Sequence, residues 1–265
     1  LLGRDSFQEV DIAGITMPVT KHNFIVKNAD DLADAIRRAF HIARSDRPGP
    51  VLVDVPKDVQ QALIEYTAKQ PEPPHKPPMQ ADVTDAVELI ERAKRPIIYA
   101  GGGCIAADAI AELLRFAERI KAPIATSVMG LSAIPTAHKY CAGLIGMHGH
   151  ASVARLVEHS DLIIAAGARF SDRVAGDRKK FCNHAKIVHI DIDAAEIDKN
   201  VRTDAYVRGD VKQVLKLLAM TVGEKRDETM LDLNAEYKRK YALPPCRGKL
   251  SPRAVIACVS ENAGD

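Results

Sequence analysis

The stretch GARFSDRVAG (167–176) crowds Arg169, Ser171, Asp172 and Arg173 together, directly behind the apolar run DLIIAA (161–166). Two guanidinium groups this close can grip a phosphate or diphosphate through bidentate, charge-assisted bonds. Other apolar runs end in comparable chemistry. PIIYA (96–100) opens into Gly101, Gly102 and Gly103, which allow positive φ and close approach of a ligand to backbone N–H groups, with a helix N-terminus behind. KIVHI (186–190) leads to Asp191, and AYVRG (205–209) leads to Asp210. Either carboxylate could accept from ribose hydroxyls or an adenine amino group, and either could equally cap the helix that follows. Together the four ends favour a dinucleotide over four unrelated turns.

The fit to a nicotinamide site is poor. Gly101, Gly103 and Ala106 match G-x-G-x-x-A, yet PIATSVMG (123–130) lacks the acidic residue expected for ribose recognition at the end of the next strand. The loop GMHGH (146–150) places His148 and His150 close together without a carboxylate or thiol cluster, so metal ligation is not expected and a flexible loop over a ligand is. There is no G-x-S-x-G, H-E-x-x-H or G-x-x-x-x-G-K-[ST], and no nucleophile paired with a base.

These residues need a scaffold that brings strand ends to one edge. From 83 to 222 the pattern alternates. Helices are expected at 84–93, 106–121, 151–159 and 210–221. Strands are expected at 96–100, 123–128, 161–168, 186–192 and 205–209, with a helical turn near 193–198. Such alternation predicts an α/β fold with a doubly wound parallel sheet, helices on both faces and ligands at the carboxyl ends of the strands. MGLSAIPTAHKYCAGLIGMHGH (129–150) reads as a glycine-rich loop region. Ahead of this unit, NADDLADAIRRAFHIARSD (28–46) has helical periodicity through Leu32, Ala35, Ile36, Ala39, Phe40 and Ala43, and VLVDV (51–55) reads as a buried strand. Pro71, Pro73, Pro74, Pro77 and Pro78 mark a stiff linker, placing a boundary within 61–82. Residues 223–250 read as a second linker with a helix near 229–241.

The totals exclude several classes. A chain of 265 residues, 46% apolar and 27% charged, has material for a core. A net charge of +2 gives no field that favours nucleic acid or an anionic membrane, and no apolar run reaches the length of a membrane span. The five cysteines are scattered without C-x-x-C, as expected for reduced thiols in a cytosolic or organellar compartment. The chain starts without Met on a polar stretch and closes on an amphipathic pattern, SPRAVIACVSENAGD. Both suggest a piece of a longer protein.

Taken together, FQEVDIAGIT (7–16), PVTKHNF (18–24), RPGPVLVDVPKDVQ (47–60), YAGGG (99–103), GMHG (146–149), GARFSDRVAG (167–176), KIVHIDIDAAEI (186–197) and RGDV (208–211) resemble the acetohydroxyacid (acetolactate) synthase family of thiamine-diphosphate enzymes. The resemblance covers nearly the whole chain. It implies that 1–60 is the C-terminal part of a pyrimidine-binding domain, 83–222 a central FAD-binding domain and 251–265 the start of a diphosphate-binding domain. It implies decarboxylation of pyruvate and condensation with a second 2-keto acid, with thiamine diphosphate, Mg²⁺ and a structural FAD. The family's activating glutamate would lie before Leu1 and its G-D-G metal motif after Asp265, so no catalytic residue is expected in this chain and it should be inactive alone.

The same resemblance assigns Arg47, Gly101, Gly102, Gly103, Ser127, Val128, Ile145, Gly146, Met147, His148, Gly167, Ala168, Arg169, Ser171, Asp191, Ile192, Asp210 and Val211 to the flavin. Phe7, Gln8, Lys57, Met147, Asp172 and Arg173 match positions around the substrate channel. Ser171 stands where the family often carries an aspartate. The family also implies a homodimer or homotetramer, a regulatory subunit, and a cytoplasmic location, or a plastid or mitochondrion in a eukaryote. The alternatives are another thiamine-diphosphate carboligase or decarboxylase, and a non-catalytic nucleotide-binding module.

Overall fold

A computed structural model describes residues 7, 9–75, 82–177, 181–242 and 250–263. Strands β3 (Pro96–Ala100), β4 (Ile124–Thr126), β5 (Cys141–Leu144), β6 (Leu162–Ala166), β7 (Lys186–Asp191) and β8 (Ala205–Arg208) form one sheet in the order β5-β4-β3-β6-β7-β8. All its pairings are parallel. The chain winds outward one way from β3 to β5, returns to the middle, and winds the other way from β6 to β8. The reversal between β3 and β6 opens a crevice at their carboxyl ends, where ligands bind in sheets of this type.

Side-chain alternation along each strand divides the core into two layers. Ile98, Ala100, Ile164 and Val188 point to one face, packing with α4 (Thr84–Arg92), α6 (Ile110–Ile120) and α9 (Val211–Thr221). Ile97, Tyr99, Ile163 and Ile187 point to the other, against α7 (Ala151–His159) and α10 (Thr229–Lys240). Because both faces are covered, PIIYA and LIIAA are buried at every position, and they read as continuous apolar runs rather than alternating ones. The helix α6 turns Leu113, Phe116, Ala117 and Ile120 inward at helical spacing. Each large side chain so buried stabilises the fold by about 1.5–3 kcal/mol.

The preceding segment builds a smaller parallel pair, β1 (His22–Ile25) with β2 (Val51–Asp54), against α2 (Leu32–Arg44). Much of the PVTKHNF stretch has a local structural use. Lys21 Nζ donates to the carbonyls of Ile42 (2.6 Å) and Ser45 (2.7 Å) at the C-terminal end of α2, where cations are favoured. Asn23 Nδ2 ties back to the Ala13 carbonyl at 2.9 Å. On α2, Ala35 and Ala39 are buried while Ile36 and Phe40, expected on the same apolar stripe, are exposed.

Two expectations need correction. The helix expected at 106–121 is two helices, α5 (Gly102–Ala106) and α6, because Asp108 takes a left-handed φ of 50° between them. Aspartate tolerates that conformation better than most residues. The loop expected across 129–150 contains β5, whose register slips beside Ile124 and Ala125 and whose Gly143 has φ 116°. The helix expected near 229–241 forms over Thr229–Lys240 and buries Met230, Leu231, Asn234 and Tyr237. No helix among the described residues is long and apolar enough to cross a membrane.

Candidate cofactor cleft

The carboxyl ends of β3, β4, β5, β6 and β7 surround a cleft of about 620 Å³, with Arg44, Asp46, Arg47 and Pro48 of the preceding segment on its rim. The strand ends are locked to one another: Gly101 N donates to Ala166 O (2.9 Å), Ser127 N to Ala100 O (3.0 Å) and Gly167 N to Ile190 O (2.8 Å). The glycines after β3 answer to this packing, not to a free row of N–H groups. A Cβ on Gly101 would lie 2.0 Å from Gly167 O, and one on Gly103 2.6 Å from Gly167 Cα. Gly103 N is itself bonded to Gly167 O at 3.0 Å. None of Gly101, Gly102 and Gly103 has positive φ, whereas Gly167 does, at 56°. The triple glycine thus lets two turns touch backbone to backbone and form the cleft floor.

The GARFSDRVAG loop folds by burying its aromatic and exposing its charges. Phe170 is 2% exposed and sits edge-on to Tyr99, Phe181 and His189, with a left-handed φ of 46° that lets it turn under the sheet. Arg169 and Ser171 on either side then face the cleft. Burial pushes the Tyr99 phenol up to about 12, with the Arg169 charge opposing, so it stays protonated on the cleft wall. Ser171 precedes the short helix α8 (Asp172–Ala175), and its carbonyl accepts from the N–H groups of Val174 and Ala175. Its hydroxyl has no hydrogen bond among the described residues.

Arg173 Nη1 reaches Met147 Sδ at 3.4 Å, and Met147 N donates to Arg173 O at 2.8 Å. Gly146, at φ 103°, is the only residue type that clears Arg173 O there, since a Cβ would come within 2.4 Å. The loop GMHGH is thus a turn hydrogen-bonded to α8, with His148 on the cleft wall.

Asp191 ends β7 nearly buried. Its Oδ1 accepts from Asp193 N (2.9 Å) and its Oδ2 lies 3.8 Å from His189 Nε2. Burial lowers His189 below its ordinary range and leaves it neutral, with Nε2 donating to Ala168 O at 2.8 Å. Burial also raises the Asp191 carboxyl, opposed by the Asp193 N–H and the imidazole. Asp210 is the N-cap of α9, accepting from Lys212 N at 2.9 Å, and it lines the cleft as well, so the capping and cleft readings hold together.

Arg47 Nη1 donates to Asp193 Oδ2 (3.0 Å) and Glu196 Oε1 (2.8 Å), and Lys199 Nζ adds a third bond to Glu196 at 3.1 Å. Burial alone would raise Asp193 and Glu196. The N–H of Ala195 and Arg47 on the first, and Arg47 and Lys199 on the second, outweigh it and hold both carboxyls below their ordinary range.

Of the positions assigned to the flavin, all but Gly146 and Met147 line this cleft. Of the channel positions, Arg173 lines it, and Met147 and Asp172 lie beside Arg173. Phe7 and Lys57 do not line it, and Phe7 is 94% exposed; Gln8 lies outside the described residues. Sequence reasoning missed Arg44, Tyr99, Asp108 and Glu196 on the wall. Only Glu196 had a usable signal, three residues behind Asp193 in a turn that needs a partner for its buried carboxylate. Among the described residues, no group of three or more His, Cys, Asp or Glu is placed to hold a metal, and Cys104, Cys141, Cys182 and Cys258 are free thiols.

Comparison with known proteins agrees with this geometry. Residues 83–218 match the central domain of thiamine pyrophosphate enzymes. The whole chain aligns at 44% identity with the acetolactate synthase large subunit of Corynebacterium glutamicum, covering 44% of that protein. A probable acetolactate synthase large subunit of Methanocaldococcus jannaschii is 44% identical over 92% of the chain and 43% of its own length. Acetolactate synthase isozyme 1 large subunit of Escherichia coli K12 is 39% identical over 99% of the chain and 48% of its own length. The chain thus spans less than half of these curated relatives. A solved structure assigned as a thiamin diphosphate-dependent enzyme from Mycobacterium smegmatis shares the fold, with a TM-score of 0.71 at 22% identity over 83% of this chain and 43% of that one. By its switched parallel sheet and the match across 83–218, the chain belongs to the thiamine pyrophosphate enzyme family and contains that family's central domain.

Proposed function

We propose that the chain is part of an acetolactate synthase, which decarboxylates pyruvate and joins the two-carbon unit to pyruvate or 2-ketobutyrate in branched-chain amino-acid biosynthesis. The observation that carries this reading is 44% identity along the whole chain to a protein of that name. In the complete protein, thiamine diphosphate with Mg²⁺ would supply the electron sink that decarboxylation needs. The residues of this chain bind and position; they do not form or break bonds.

The cleft residues fit FAD. The volume of about 620 Å³ lies in the range of small-molecule sites. Its floor is glycine backbone, its walls carry arginines, and Asp191 offers a carboxylate at the end of β7. Arg169 and the Ser171 hydroxyl would meet polar groups of the flavin, and Val128 and Met129, both exposed on the wall, would cover its apolar surface. The flavin would be structural, joining the 44–48 rim to the sheet. Met147, Asp172 and Arg173 form one exposed cluster at the cleft mouth, suited to a 2-keto acid carboxylate passing towards the reaction centre.

A homodimer or homotetramer is expected, and a regulatory subunit accords with the large-subunit names of the relatives. The compartment is expected to be the cytoplasm, or a plastid or mitochondrion in a eukaryote. Acetolactate formation from pyruvate with thiamine diphosphate, Mg²⁺ and FAD tests the proposal. Product is expected from the full parent polypeptide and not from residues 1–265 alone. Enzyme-like turnover by the isolated chain overturns the fragment reading, and a parent that consumes pyruvate without making acetolactate overturns the synthase reading.

A further inference from the structure

A second cavity, of about 480 Å³, opens at the other end of the sheet. It lies between the turn at 181–185 and residues 201–204, beside Lys186 and Ile187, which begin β7. The cleft lies past Asp191, where that strand ends. The floor of the second cavity is apolar, with Cys182, Ile187 and Val201 buried in it. Burial pushes the Cys182 thiol up to about 12, so it stays protonated and adds no charge. The rim is polar, and most of its groups are held. Both oxygens of Asp204 are taken: Oδ1 accepts from Lys186 Nζ (2.7 Å) and Oδ2 from Ile187 N (2.9 Å). His184 Nε2 is bonded to the Val157 carbonyl at 3.1 Å. Thr203 donates to Asp198 Oδ1 through its N (2.7 Å) and Oγ1 (2.9 Å), closing the turn ahead of β8. Arg202, exposed in that turn, has neither a hydrogen bond nor a carboxylate partner among the described residues. Lys186 and Asp204 offset each other, so Arg202 carries the unbalanced charge above an apolar floor. A guanidinium fork matches the two oxygens of a carboxylate, and an apolar floor takes the hydrocarbon attached to it.

The cavity also backs onto the loop after β6. Phe181, on its wall, sits edge-on to Phe170 with 5.9 Å between ring centroids. Asn200, within the turn that Asp198 and Thr203 close, donates through Nδ2 to Arg169 O at 2.9 Å. We propose that this cavity binds a small organic carboxylate through Arg202, and that the occupant steadies the Arg169–Arg173 loop through Phe181 and Asn200. The site is separate from the cleft and does not depend on what the cleft binds.

The test is calorimetric titration of the 265-residue chain with benzoate, and with benzamide as an uncharged analogue of the same shape. Benzoate is expected to bind about tenfold or more tighter than benzamide, and Arg202→Gln to remove that difference. Arg202→Lys, which keeps the charge but not the fork, is expected to restore part of it. Arg92→Gln, an exposed change on α4 that lines neither cavity, is expected to alter benzoate affinity by less than about twofold. Hydrogen exchange under saturating benzoate is expected to slow at 181–187 and 201–204, and also at 167–173. The site is overturned if benzoate does not bind, if benzamide binds equally well, if Arg202→Gln binds benzoate like the parent chain, or if protection is confined to residues of the cleft. Protection at 181–187 and 201–204 with no change at 167–173 keeps the site and overturns its link to the loop. Inorganic phosphate that binds through Arg202 where benzoate does not overturns the carboxylate assignment.

Discussion

One methyl group separates alanine from glycine, and at position 101 it has nowhere to go. The 2.0 Å approach to Gly167 O is a backbone collision, so the two strand-end turns would have to separate. Gly101→Ala is expected to cost about 3 kcal/mol or more and to lower ligand affinity, measured by urea unfolding and FAD titration. Gly176 is the control. Its φ of 55° is strained for alanine, but a Cβ there meets nothing within 4 Å, so Gly176→Ala should cost only about 1–3 kcal/mol. Equal losses at the two positions would show that conformation, not packing, selects the glycine. Glu196 makes a different point. Removing its carboxylate leaves Arg47 with one partner, and because Arg47 is 42% exposed, water screens part of the loss. Glu196→Ala is expected to cost about 1–2 kcal/mol. Both carboxyls bonded to Arg47 titrate below their ordinary range in the folded protein. Their contribution is therefore complete above the unfolded carboxylate values near about 4 and is lost as pH falls through the lowered folded values. Thermal unfolding from pH 7 to pH 3 should show the gap between the parent chain and Glu196→Ala closing in that acidic window. A gap that is constant with pH would remove the ion pairs as its cause. At this scale the sequence marked Gly101, Arg169 and Asp191 as cleft residues, because each follows a legible strand. It could not mark Glu196, whose importance lies in which groups it meets across the chain.

Elements were legible where periodicity was strong. PIIYA and the helix at 151–159 form over their expected residues, one through continuous burial and the other through an amphipathic face. The edge strand β5 was not legible, because Gly143 and a register slip interrupt its pattern and only pairing with β4 makes CAGL a strand. The helix α10 was legible as an element near 229–241, but its charged surface hides the four inward positions. One of them, Asn234, donates through Nδ2 to the carbonyls of Lys139 (3.3 Å) and Cys141 (3.2 Å), tying α10 to the edge of the sheet. Asn234→Leu retains much of the volume but strips both carbonyls of that donor. It is expected to cost about 1–3 kcal/mol, measured by denaturant unfolding. A neutral result would mean that water replaces the amide and that the helix docks through Met230, Leu231 and Tyr237 alone.

Across the whole molecule, the cleft belongs to no single element. Its floor is the contact between the turns after β3 and β6, its walls come from the ends of five strands, and its rim comes from the smaller segment held by Arg47. The sequence by itself determined the α/β alternation, the strand ends that carry chemistry and the family they resemble. Those signals are local in periodicity and composition, and so they survive without coordinates. Only the tertiary structure decided that the glycines serve backbone contact, that Arg47 is engaged by two carboxylates, and that a strand hides in a glycine-rich stretch. These depend on distances between residues far apart in the chain, set by the reversal of winding between β3 and β6, which no local pattern records.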